Sequence, residues 1–160
     1  MLTRNGIFYG ISEGQQNGVS PAVVKFTVAN GKITLLQEKL LSSLANLPTD
    51  FTSTVWGSHH GAFHPTKDYL YIGSAEGNVF VLDLLNLNLV DTFKAGKGIG
   101  HFTFYNNMLI TTNHYDTFKT FHDATDPLNH RFLKSLSFGN TIYKGITMQS
   151  HTTHIVNNYL

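Results

Sequence analysis

Histidine carries the chemistry this chain can do. Nine of its 160 residues are histidine and none is cysteine. The lack of thiols removes disulfides, thiolate nucleophiles, zinc fingers and cysteine-bound iron–sulfur clusters. Neutral imidazole ligates zinc, copper, iron and nickel, so the spacing of the histidines decides what is possible. His59, His60, His101, His114, His151 and His154 are the candidate metal ligands. His60 and His64, four apart, would share a face of a strand but stand too far apart to chelate without a bend. His151 and His154, three apart, would point to opposite faces of an ideal strand. The His-Glu-x-x-His spacing of zinc proteases does not occur. His114 sits where a strand gives way to a turn, a position that commonly carries function, or else it is a turn residue bonded to Asp116. His122 and His130 flank 123–129 (DATDPLN), read as an exposed turn, and are expected at the surface.

Other chemistries find no support. Gly96-Lys97-Gly98-Ile99-Gly100 lacks the strand–turn–helix setting of a dinucleotide loop and reads as a connection between strands. Ser58-His59 does not form a nucleophile elbow. The loop carboxylates, Asp68, Asp91, Asp116, Asp123 and Asp126, are too few for an oxygen-lined calcium or magnesium site. With 11 Lys+Arg against 10 Asp+Glu, no basic stripe for nucleic acid is expected. No stretch of about 18 apolar residues is present, so no membrane-spanning helix is expected. The first residues also lack the pattern of a secretory leader.

The elements that must position these histidines read as strands. Hydrophobic residues make up 41% and charged residues 13%, enough apolar material for a folded core. Residues 22–29 and 32–40 flank Asn30-Gly31, a type I′ hairpin signal. A leucine stripe over 35–47 offers a competing helix, but the Asn-Gly hairpin outweighs it, leaving 41–48 as a loop or short helix. Segments 69–74 (YLYIGS), 79–85 (VFVLDLL), 89–95, 102–105, 108–112 and 117–122 follow, punctuated by Gly, Asn and Asp. Short strands at this density indicate an all-β meander.

The strands repeat. His60 and His101 stand 41 positions apart, Asp83 and Asp123 stand 40 apart, and Gly96 and Gly139 stand 43 apart. A four-stranded propeller blade recurs every ~40–45 residues. The expected fold is therefore all-β: a β-propeller of four-stranded antiparallel blades, about three and a half in number. Its units are a partial blade at 1–48 without its first strand, blades at 58–98 and 99–140, and the start of another at 141–160. Such an arc leaves raw edges. They are expected to be covered either by further blades of a longer protein or by self-association.

The unit from His60 resembles the YVTN-type β-propeller repeat of bacterial envelope and surface proteins. The resemblance rests on Tyr69-Leu70-Tyr71-Ile72-Gly73, Gly77-Asn78-Val79-Phe80-Val81-Leu82-Asp83 and Val90-Asp91-Thr92-Phe93. The family's Pro-Asp-Gly-Lys turn is here Pro65-Thr66-Lys67-Asp68, and its Tyr-Val-Thr-Asn is Tyr71-Ile72-Gly73-Ser74. The resemblance implies a periplasmic or extracellular location and relatives such as lactonase-like and quinone- or haem-dependent enzymes. His59-His60 with the two strands after it is similar to the paired-histidine segment of the nitrous-oxide reductase propeller, which helps hold a copper cluster. The cysteine copper ligands of that enzyme's electron-entry domain are absent here.

In a propeller the first strand of each blade lines the central channel, so His59 or His60, His101 and His151 would converge there. Two functions follow. One is a transition-metal site, with copper as the ion, for redox work or metal handling. The other is a non-catalytic scaffold recognising a protein or glycan, its histidines structural.

Overall fold

A computed structural model of the chain describes residues 1–12, 20–47, 57–113 and 118–137, with 142–143, 146–147 and 153. It is all-β. The first antiparallel sheet contains β1 (Leu2–Arg4), β2 (Ile7–Ser12), β3 (Ala22–Ala29) and β4 (Lys32–Leu40). The second contains β5 (Gly57–Phe63), β6 (Tyr69–Ser74), β7 (Asn78–Asp83) and β8 (Leu89–Lys94). The third contains β9 (Ile99–Tyr105), β10 (Met108–Asn113), β11 (Phe118–Asp123) and β12 (Arg131–Ser137). A further hairpin pairs β13 (Ile142–Tyr143) with β14 (Ile146–Thr147). Each four-stranded sheet is a simple meander, the blade of a propeller, and the chain forms part of such a ring. No helix among the described residues is long and apolar enough to cross a membrane.

Turn chemistry sets the strand limits. Asn30 and Gly31 take φ values of 50° and 73°, the left-handed pair a type I′ hairpin needs. Asn5 and Gly6 repeat it at 51° and 74°. That turn corrects the expectation that the first unit lacks its first strand, because Leu2–Arg4 pairs with β2 in the register Arg4↔Ile7. The leucine stripe becomes β4 and one turn of 3₁₀ helix at Leu41–Ser43, not a longer helix.

Alternation builds the interfaces between blades. On β6 and β7, Leu70, Ile72, Phe80 and Leu82 face the first blade, where they bury Tyr9 and Val23. Tyr71, Val79 and Val81 face the third blade and meet Ile99, Phe102 and Leu109. The second blade is thus apolar on both faces, each fully buried side chain stabilising by about 1.5–3 kcal/mol. Polar staples cross the same seams. Arg4 donates to the carbonyls of His64 (3.0 Å) and Lys67 (2.6 Å). Lys25 Nζ donates to the carbonyls of Leu84 and Leu85 at 2.8 and 2.9 Å. Asp83 and Asp123, landmarks of the repeat, bind the backbone of the turns they open: Asp83 accepts from Asn86 N (2.6 Å) and Asn88 N (3.0 Å), and Asp123 from Thr125 N (3.0 Å).

Candidate functional site

The inner strands β5 and β9 run side by side, and their histidines meet. The rings of His60 and His101 stand 5.1 Å apart between centroids, inclined at 60°. His60 is exposed and His101 half-buried. Two features let β9 approach this closely. Gly73 lies under Ile99, and a Cβ there would stand 2.5 Å from Ile99 Cγ2. The link from β8 to β9 is laced over the β6–β7 turn, with Ala95 N donating to Gly77 O and Gly98 N to Ala75 O, both at 2.9 Å. Gly77 and Gly96 take φ values of 92° and 97° there, which side chains rarely adopt. The Gly96–Gly100 run is a connection between blades.

The structure thus brings together two of the expected ligands. His59 lies on β5, but its side chain is outside the described residues, as are His114, His151 and His154. Among the described residues no group of three or more histidine or carboxylate side chains could hold a metal ion. His64 does not join His60. It turns to the third blade, donating from Nε2 to the Ala124 carbonyl at 2.8 Å while Nδ1 accepts from Thr66 N and Lys67 N at 3.2 and 3.1 Å. That pattern fixes one neutral tautomer.

His122 and His130 overturn their surface assignment. His122 is 2% exposed and the His130 side chain 1%. His130 lies between blades, with Nδ1 2.6 Å from Asp91 Oδ2 and Nε2 2.8 Å from the Tyr71 hydroxyl. Phe93 stacks on its ring at 4.4 Å and also meets His122 at 4.8 Å. Burial, then the charge of His130, pushes the His122 pKa down to about 4. Burial likewise holds His64 below the usual imidazole range. For the Tyr71 hydroxyl, burial first and then the Asp91 charge push the pKa upward. The Asp91–His130–Tyr71 chain lies in the seam between blades, with the Tyr71 and His130 side chains closed off from solvent and Asp91 partly exposed. The repeat contained the signal for His122. Asp123 aligns with Asp83, so His122 aligns with the core residue Leu82.

Glu76, in the turn between β6 and β7, is a further residue the sequence did not single out. Both its carboxylate oxygens are shut off from solvent with no hydrogen-bond partner.

No family model matches the chain, and no curated protein matches it. Solved structures do resemble it. A Lactobacillus plantarum protein superposes with a TM-score of 0.59 at 12% identity, over 84% of this chain and 43% of its own. The periplasmic gluconolactonase of Pseudomonas aeruginosa gives 0.58 at 18% identity, over 74% and 34%. A β-propeller domain from Myceliophteria thermophila gives 0.55 at 11%, over 79% and 38%. The aligned part of this chain spans less than half the length of each of these structures. At such identities the likeness concerns architecture, and the chain is part of a β-propeller scaffold.

Proposed function

We propose that this propeller binds a transition-metal ion through imidazoles on its inner strands, with His60 and His101 as the first two ligands and copper as the ion. The observation that carries this reading is the 5.1 Å separation of the two rings. Two imidazoles bound to one ion at ~2.0–2.1 Å with a tetrahedral angle have centroids roughly 5 Å apart. Imidazole suits copper and zinc, and the chain has no thiolate to compete. His151, which opens the following unit, is the third ligand in this reading, with His59, His114 and His154 as further candidates. The bound ion would supply redox or metal-handling capacity. The protein side of the chemistry is to hold neutral imidazoles at fixed spacing on a rigid pair of strands. The periplasm or cell exterior is its proposed location, in keeping with a fold neighbour described as a periplasmic gluconolactonase.

Copper and zinc titrations of the wild type beside His60→Ala/His101→Ala, and beside the triple variant with His151→Ala, test the reading. The expected result is at least tenfold weaker copper binding in the double variant and a further loss in the triple. Equal, weak binding by all three proteins overturns it and leaves a scaffold that recognises a protein or glycan through its loops.

A further inference from the structure

The seam between the second and third blades is built around three enclosed imidazoles: His64 after β5, His122 on β11 and His130 just before β12. They come from both sides of the seam. His64 reaches from the second blade to the Ala124 carbonyl at 2.8 Å, and His130 reaches back to Asp91 on β8 at 2.6 Å. His122 packs on Phe93 of β8 at 4.8 Å between ring centroids. The corresponding position on the second blade is Leu82, a hydrocarbon in the core of the first seam. The staples of that first seam, Arg4 and Lys25, are residue types that gain no proton on acidification.

The three imidazoles differ in what a second proton would meet. His130 faces the Asp91 carboxylate through Nδ1 and the Tyr71 hydroxyl oxygen through Nε2, so a protonated ring keeps both bonds. His64 has no such outlet. Its Nδ1 accepts from Thr66 N and Lys67 N, and a proton there would face two N–H donors. Tyr71 and Phe104 pack on its ring, and the charges that reach it are those of His130, Arg4 and Lys67, all of one sign. His122 bonds through Nε2 to the Thr120 hydroxyl, lies against Phe93 and Phe132, and feels the charge of His130. Among the described residues the nearby carboxylates are engaged elsewhere: Asp91 with His130, Asp123 with Thr125 N and Arg131, and Asp126 with Leu128 N. An enclosed imidazole without a counter-charge resists protonation, and its proton must be taken up when the site opens to water.

We propose that the second seam is an acid-operated joint: protonation of His64 and His122 releases the third blade from the second while the first seam stays closed. The sign is the same for both rings, since burial lowers both pKa values. The open form binds protons below pH ~6.5 and the closed form does not, so falling pH favours opening. The third blade would then open as one cooperative unit, ahead of the rest of the chain.

Hydrogen-exchange mass spectrometry of the 160-residue chain at pH 7 and pH 5 is the test, with labelling times scaled to the intrinsic exchange rate. EDTA keeps metal binding out of the measurement. Peptides from β9–β12 are expected to lose protection at least tenfold at pH 5, and peptides from β2–β4 less than threefold. His122→Leu installs the residue of the sister position, and His64→Gln keeps a donor and an acceptor. Each should cut the acid loss at least threefold. No loss in the wild type by pH 5, an equal loss in all three blades, or a loss undiminished in either variant that folds overturns the proposal.

Discussion

His130 shows how a single side chain ties two blades. It offers one ring nitrogen to Asp91 and the other to Tyr71, so removing it strands a carboxylate and a hydroxyl at the seam. His130→Ala is expected to cost about 2 kcal/mol in urea unfolding, the scale for leaving part-buried polar groups without their partner. Tyr71→Phe removes one bond and should cost about 1 kcal/mol. His122 adds a pH dependence whose sign follows from its pKa of about 4. The unfolded chain takes up a proton near pH ~6.5 while the folded chain resists it until about 4. Stability is therefore full at neutral pH and falls as pH drops through that window, by roughly 3 kcal/mol at its acid end. Unfolding free energies at pH 7 and pH 5 should differ in the wild type, and the difference should shrink in His122→Gln. An acid-indifferent wild type would contradict this. These roles escaped sequence reading because a histidine beside a polar loop looks solvent-facing. Only alignment with Leu82 places His122 in a core.

At the scale of elements, the strands were legible where turn chemistry bounds them. Asn30-Gly31 delimits β3 and β4, and alternation with Gly/Asn punctuation gives β2 and β6 their limits. β1 was not, because three residues carry too little alternation to register. Its Asn5-Gly6 turn was the available signal. The meeting of His60 with His101 was legible from the repeat period, since equivalent positions on inner strands converge. What the period could not reveal is the device that permits it, the close approach of Ile99 over Gly73. Gly73→Val should push β9 off β6, cost about 1–3 kcal/mol as overpacking, and weaken metal binding along with stability. A Gly73→Val protein of wild-type stability and metal affinity would show that the glycine does not set the spacing.

On the whole-molecule scale the arc is a propeller segment stabilised by seams between blades rather than by one central core. Each seam combines an alternating apolar face with a few staples: Arg4 and Lys25 across the first, His64 and His130 across the second. Its inner strands bring imidazoles from consecutive blades together. Copper(II) electron paramagnetic resonance reads that convergence at the metal. The wild type loaded with one equivalent should show nitrogen hyperfine structure from at least two equatorial imidazoles, and His60→Ala/His101→Ala should lose it. A wild-type spectrum of loosely bound copper without imidazole nitrogens, or one unchanged in the double variant, would contradict the account.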